Sequence, residues 1–468
     1  MTHCFPSEQP AIVETVKREG YADILRWLAE LTDEERERFL EQLATLDFPH
    51  VRELAALIGA PAEGVELGGI EPPTVQRLPR TDAEAMQEAA ACEVGRSALR
   101  DGRVAALTVA GGQGTRLCWE GPKGLFPITP VRQHTLFQVL AEGILAARRR
   151  HGCRMPWLIM TSPDNDAETR AFLEQKGHFG LGGDTVHFFA QQTNPILTDA
   201  GGLLLEAKGR LLVGPDGHGG VFDGLARSHL LDELESCGVE LICYFQVDNP
   251  LVSVADERFI GHHVRLGAEF SCKVVAKRDP SEKLGVAALQ RGRPAIVEYS
   301  DLPDALARAS TPSGELKYLF GSIAVHIIST SLARRMSEKN TALPWHVARK
   351  QYDVIGEGGR MEEVTCFKFE RFVFDALARA AGCAFVDVDR GSEFAPVKNA
   401  EGEDSPETAR AMMRAMWVSW LREAGVDVAC LDDPAAEIEI SPLFASNAAE
   451  LKSRLPVGWA PEPPVVLE

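Results

Sequence analysis

Between Val104 and Lys123 the chain reads VAALTVAGGQGTRLCWEGPK, an apolar run followed by a glycine-rich turn, an arginine and a lysine. Ala110, Gly111, Gly112 and Gly114 let the backbone come close to a ligand, so main-chain N–H groups can reach an anion or a flat base. Arg116 and Lys123 bring two fixed cations to the same place. This combination suits a nucleoside triphosphate, whose phosphate oxygens need positive charge and whose base needs close backbone donors. Two familiar phosphate loops do not fit. Gly112-Gln113-Gly114 is followed by Leu117 where a dinucleotide fingerprint needs a third small residue, and the chain has no Gly-Lys-Ser or Gly-Lys-Thr of a P-loop. What remains is a nucleotidyltransferase loop, G-G-x-G-T-R with a lysine shortly after.

The elements around this loop must hold it rigidly. From residue 104 onward, strand-like runs (VAALTVA, WLIMT, VHFFA, LICYFQV, FSCKVV, AFVDV) alternate with helical patterns (TLFQVLAEGILAARRR, NDAETRAFLEQ, LARSHLLDELESC). Alternation of this kind predicts an α/β fold with a central doubly wound, mostly parallel sheet. Ligands bind off the carboxyl ends of such strands. The glycine turn after Val109, Asp248-Asn249 after Val247 and Gln191-Gln192 after Ala190 all fall at strand ends, so one rim is expected to carry the site. Residues 1–100 read as a helical N-terminal region without recognisable chemistry, 101–390 as the catalytic domain and 391–468 as a small C-terminal domain.

Bulk properties narrow the partners. The net charge of −19 opposes general binding to nucleic acid or to an anionic membrane, so an anionic substrate needs a local basic pocket. Ten scattered cysteines without a C-x-x-C pair supply neither zinc-ligand spacing nor a disulfide framework, and a reducing cytoplasm is expected. No secretory signal is visible at the N-terminus, and no apolar run approaches the roughly 18 residues of a membrane span. Whether the chain is a monomer or a dimer is left open.

AGGQGTRL followed by GPKG resembles the signature of the eukaryotic-type UDP-sugar pyrophosphorylases, most closely the enzymes for N-acetylglucosamine. The match continues in order through HFFAQQTNP, GPDGHGGVFDGL, FQVDNPLVSVADERFIG, KLGV, IVEYSD, FGSIAVH, FKFERFVFD and FAPVKNAEGEDSPETAR. The resemblance implies a nucleotide-diphospho-sugar transferase fold, Rossmann-like, and the formation of a UDP-sugar and pyrophosphate from UTP and a sugar 1-phosphate. It assigns Arg116, Lys123 and Lys398 to the reacting phosphates. Gly111, Gly112, Gly114, Gln191 and Gly217 fall to the nucleotide, with Gln191 matching the donor and acceptor edge of uracil. Asp248 is assigned to Mg²⁺, with Mn²⁺ as a substitute, at the nucleotide phosphates. Gly285 and Glu298 would face the hexose.

Two positions depart from the family pattern, at His218 in P-D-G-H-G-G and Ser322 in G-S-I, where the N-acetylglucosamine enzymes carry sugar-contacting asparagines. The histidine is instead similar to the G-H-G of UDP-glucose and broad-specificity enzymes, so the hexose is left open between N-acetylhexosamine and glucose or galactose. A catalytically silent nucleotide-sugar sensor is the reading from another class, but it would not require Arg116, Lys123, Asp248 and Lys398 together. Cys118 stands where the family usually has glycine, and no neighbouring base marks it as a nucleophile. Asp387 and Asp389 resemble a metal-binding D-x-D, although outward carboxylates on an edge strand are the weightier expectation. His262 and His263 are expected on a helix surface.

Overall fold

The computed structural model describes residues 9–60, 69–338, 343–426 and 429–468; Cys4 lies outside them. The chain divides into two units. One comprises Met1–Gly64, Gln191–Gly220 and Leu343–Val373, the other Val65–Ala190, Val221–Ala342 and Phe374–Glu468. This division does not follow the consecutive boundaries at 100 and 390 expected from the sequence, because hydrophobic faces distant in the chain share cores.

The larger unit is built on one sheet. Its strands are β1 (Ile70–Glu71), β2 (Val75–Gln76), β3 (Val104–Val109), β4 (Trp157–Thr161), β5 (Val186–Ala190), β6 (Leu241–Gln246), β7 (Phe270–Ala276), β8 (Val286–Gln290), β9 (Arg293–Val297), β10 (Phe320–Ser329) and β11 (Cys383–Asp387). The main path runs β2-β11-β7-β10-β6-β3-β4-β5, with β1, β8 and β9 branching from β10. All neighbours on that path are parallel except β10, which is antiparallel to β6 and β7. Every residue of β3 and β4 is buried, which explains their uninterrupted apolar runs. Trp157 Nε1 donates to Thr108 Oγ1 at 2.8 Å, so neither polar atom is left orphaned inside. The antiparallel β10 has no sequence signal of its own, since a single reversed strand alternates with helices no differently from a parallel one.

Three expectations are corrected. LARSHLLDELESC forms two helices, Val221–Arg227 and Leu230–Ser236, because Ser228 Oγ donates back to the Gly224 carbonyl at 2.8 Å and His229 takes a left-handed φ of 59°. Cys383–Asp387 is an interior strand, flanked by β7 and β2; Asp387 is partly buried and burial pushes its carboxyl up, while Asp389 caps the turn Arg390–Glu393. His262 and His263 are buried, His262 against Glu88 at 2.9 Å and His263 against Ser271 at 2.8 Å.

Helix α1 (Asp82–Arg100) starts at a Thr81–Glu84 capping box and lies on α2 (Glu257–Arg265), whose N-cap is Asp256. The two backbones touch through reciprocal glycines. A Cβ on Gly95 would sit 1.9 Å from the Glu257 carbonyl oxygen, and one on Gly261 1.8 Å from that of Ala91. Neither carbonyl can move without breaking its helix. Gly261→Ala is therefore expected to destabilise the protein by roughly 3 kcal/mol, read as a lowered midpoint in denaturant; an unchanged midpoint would show that the helices separate freely.

The smaller unit has its own core. Phe39, Leu40, Leu43, Val51 and Leu54 of the N-terminal helices pack with Leu197, Leu203, Leu205, Leu211 and Phe369. The described N-terminal helices up to residue 60 are thus no free-standing cap: they fold on two later segments, one of which carries Gln191, Gly217 and His218. Residues 391–468 likewise share the core of the larger unit, where Met413, Trp417, Leu421, Ile438 and Ile440 join Phe137, Leu140 and Trp157. Among the described residues no helix is long and apolar enough to cross a membrane.

Candidate active site

At the carboxyl end of β3 the chain leaves the sheet at Ala110, whose N–H donates to the Met160 carbonyl and whose carbonyl accepts from Asn165 Nδ2. The loop then folds on itself. Gly114 N–H donates to the Gly121 carbonyl at 3.0 Å and Lys123 N–H to the Gly112 carbonyl at 3.1 Å. Gly111 and Gly112 remain partly or fully exposed, and nothing lies within 4 Å of a Cβ built on Gly112. Gly114 is buried against Trp119. Arg116 sits in the turn Thr115–Leu117, exposed and without a hydrogen bond or ion pair to any described residue. Cys118 explains the family's glycine: it adopts φ 52° and ψ 35°, a conformation that costs a non-glycine residue about 1 kcal/mol.

Lys123 is buried, and its Nζ lies 3.4 Å from Asp248 Oδ2. Gly124 makes that placement possible, since a Cβ there would stand 2.2 Å from the Phe137 ring. Asp248 follows β6, and β6 lies directly beside β3, so the two strand ends deliver the ammonium and the carboxylate to one point. The Val397 N–H donates to the Asp248 carbonyl at 2.8 Å, which brings the P-V-K-N-A segment to the same rim. There Lys398 Nζ lies 3.3 Å from Asp404 Oδ2. Asn249 holds this segment in place, donating to the Glu393 carbonyl at 2.7 Å and accepting from Ala395 N–H at 3.0 Å.

A second group forms at the start of β10, which, being antiparallel, begins at the end of the sheet where β6 finishes. Ser322 N–H donates to the Gly285 carbonyl at 2.8 Å. Glu298 is adjacent: a Cβ on Gly285 would be 3.1 Å from Glu298 Oε1 and 2.7 Å from Ile296 Cγ2. Ala324, at φ 56°, breaks the register of β10 against β7 between Cys272 and Val274.

In the smaller unit, Gln191 is buried at the first position after β5, and Thr193–Pro195 pairs with Val213–Pro215 to present the P-D-G-H-G-G turn. Arg371 clasps that turn. Its N–H donates to the Asp216 carbonyl at 2.8 Å, its carbonyl accepts from Gly219 N–H at 2.8 Å, and its Nη2 donates to Asp216 Oδ2 at 2.9 Å. Side chains at 217 or 219 would collide with Arg371 backbone atoms, at 2.4 Å and 2.7 Å, so both glycines are required. His218 Nδ1 accepts from Val373 N–H at 3.1 Å, which places the proton of the neutral ring on Nε2. Burial pushes its pKa down to about 4, which keeps the ring uncharged at neutral pH.

The larger unit thus links Gly112, Lys123 and Asp248 by a hydrogen bond and an ion pair, with Gly111, Gly114 and Arg116 on the same loop and Lys398 next to Val397, which bonds Asp248. It also joins Gly285, Glu298 and Ser322. Gln191, Gly217 and His218 belong to the smaller unit. Asp216, Arg371 and Asn249 carry no chemistry of their own and escape a reading that looks for ligands, although each lies inside a matched motif. Lys273 and Glu393 also escape it. Lys273 Nζ is fully buried, 2.8 Å from Asp256 Oδ2 and 2.8 Å from Glu393 Oε1. Burial opposes all three charges, yet Lys273 holds Asp256 below its ordinary range and the carboxylates hold Lys273 above its own, while burial pushes Glu393 up.

A family model described as UTP–glucose-1-phosphate uridylyltransferase matches residues 62–416. UDP-N-acetylglucosamine diphosphorylase 2 of Arabidopsis thaliana is 32% identical over 96% of this chain and 92% of its own length. UDP-N-acetylhexosamine pyrophosphorylase-like protein 1 of Homo sapiens is 34% identical over 93% of each chain. The fold is similar to that of the uridine diphosphate N-acetylglucosamine pyrophosphorylase of Trypanosoma brucei, solved with an inhibitor, at 28% identity, a TM-score of 0.85 and 98% coverage of both chains.

Proposed function

Because the chain belongs to the family of UTP–glucose-1-phosphate uridylyltransferases, and is a nucleotidyltransferase forming a UDP-sugar and pyrophosphate from UTP and a sugar 1-phosphate, we propose that its sugar is an N-acetylhexosamine and that the rim residues described above carry the transfer. The observation that carries the assignment of the rim residues is the convergence of Lys123 and Asp248, 3.4 Å apart, at the ends of two adjacent parallel strands.

In the reaction a phosphate oxygen of the sugar 1-phosphate attacks the α-phosphorus of UTP, the bond to the β-phosphate breaks, and pyrophosphate leaves in line. No protein nucleophile is needed, so placement and charge neutralisation supply catalysis. Arg116 and Lys123 take the triphosphate and the charge that grows on pyrophosphate. Lys398 binds the phosphates that come to join sugar and nucleotide. Gly111, Gly112 and Gly114 approach the nucleotide with backbone groups, Gln191 reads the uracil edge, and Gly217 lines the nucleotide. Glu298 accepts from sugar hydroxyls beside Gly285 and Ser322, and the resemblance assigns His218 to the sugar as well. One phosphoanhydride replaces another, so the equilibrium is nearly balanced and pyrophosphate removal sets direction.

Among the described residues no group of three or more His, Cys, Asp or Glu side chains gathers to hold a metal. A single carboxylate at a phosphate site fits Mg²⁺, which takes few protein ligands and completes its octahedron with phosphate oxygens and water. Asp248 would hold it, and Mg²⁺, or Mn²⁺ in its place, would offset the negative charge of the phosphates. We assign the protein to a reducing cytoplasm, a reading supported by nine described cysteines that are all free thiols.

The sugar proposal rests on the whole-length relatives, which are named for N-acetylglucosamine and N-acetylhexosamine. Pyrophosphate release with UTP and a panel of glucose, galactose, N-acetylglucosamine and N-acetylgalactosamine 1-phosphates tests it. Higher kcat/KM with the acetylated sugars is expected, and preference for glucose or galactose would overturn it. His218→Asn with Ser322→Asn should then raise the preference for N-acetylglucosamine 1-phosphate over glucose 1-phosphate at least about fivefold, one hydrogen bond's worth of discrimination. An unchanged ratio would place sugar selection elsewhere.

A further inference from the structure

Asp248 and Lys398 stand on segments 150 residues apart in sequence, and a phosphoryl transfer tolerates little error in their spacing. Two buried polar groups join those segments. Asn249 is one, through the Glu393 carbonyl and Ala395 N–H. Lys273 is the other. It rises from the middle of β7, fully buried, and its Nζ bridges Asp256 Oδ2 and Glu393 Oε1 at 2.8 Å each, while Ser253 N–H donates to Glu393 Oε2 at 3.3 Å. Asp256 ends the run that begins at Asp248 and caps α2; Glu393 opens the run that reaches Lys398. A cavity of about 310 Å³, lined by Leu251, Val252, Val254, Glu393, Trp417 and Trp420, borders both runs. Leu251, Val252, Val254, Phe394, Ala395 and Val397 of the two runs share one apolar core, whose contacts are non-directional, so the directional polar bonds are left to set the spacing between the runs.

We propose that Lys273 is a positioning residue: its buried ammonium, acting through Asp256 and Glu393, sets the spacing between the carboxylate of Asp248 and the ammonium of Lys398. This rests on the roles given above to those two residues. A strand residue is the right anchor, because β7 is hydrogen-bonded to a neighbouring strand on each side. The clamp matters most where both residues act at once, on the sugar-linked diphosphate, and least for UTP alone.

Glu393→Gln keeps the backbone bond to Asn249 and leaves Lys273 with one carboxylate, a neutral pair. Lys273→Met with Asp256→Asn and Glu393→Gln removes every charge and retains an N-cap for α2, so it guards against misfolding. Both variants are expected to lower kcat about tenfold. By calorimetry with Mg²⁺, the Kd of the UDP-sugar product should rise about tenfold while that of UTP stays within twofold. A purely structural lysine would leave the two ligands equally affected. Turnover and product affinity within twofold of wild type in both variants would overturn the proposal. Asp248→Asn in the same assays separates the two levels, since full activity there would overturn the site assignment itself.

Discussion

Arg116→Ala lowers turnover for pyrophosphate release at least about 100-fold, the loss of one transition-state donor, while leaving the fold intact. Arg116 is exposed and bonded to no described residue, so its removal opens no cavity and strands no buried charge. The melting temperature should stay within about 2 °C of wild type, as for other surface substitutions. That separation makes the experiment clean. The guanidinium is rigidly forked and always charged, and Lys at 116 restores only the charge; Arg116→Lys should therefore recover part of the rate and not all of it. Near-normal turnover in Arg116→Ala would remove this residue from the phosphates.

Asp248→Asn is the second large effect, again about 100-fold or more in turnover. The substitution keeps the size of the side chain, and the bond from Val397 N–H to the residue's carbonyl is untouched. Only the negative charge is lost, together with the partner of Lys123 at 3.4 Å. If the carboxylate holds Mg²⁺ against the nucleotide phosphates, the residual activity should no longer rise with Mg²⁺ concentration. A variant with the wild-type response to Mg²⁺ would show that the metal is held elsewhere.

How much of this site could be read beforehand depends on what each residue does. Gly111, Gly112, Gly114, Arg116 and Lys123 lie within 13 residues of one another, so a local pattern reports them directly. Gly217 and Gly219 were visible as glycines of a matched turn, but the reason for them, the backbone of Arg371 lying under both, was not. Cys118 looked like an anomaly in the sequence and proves to hold the left-handed turn that glycine holds elsewhere. His262 and His263 misled because adjacent histidines on a helix look solvated; Glu88 and Ser271, which bury them, come from other elements. The same distance hid Lys273, whose two carboxylates follow it by 120 residues and precede it by 17.

The strand–helix alternation, the glycine loop with its cations and the motifs that mark the family are legible in the sequence, because they are properties of neighbouring residues: periodicity, turn chemistry and local charge. The division into two units, the reversed β10, the meeting of Lys123 with Asp248 and the buried clamp at Lys273 emerge only in the folded chain. Each of these depends on which distant surfaces bury one another, and that choice is made by the collective packing of the core rather than by any single stretch of chain.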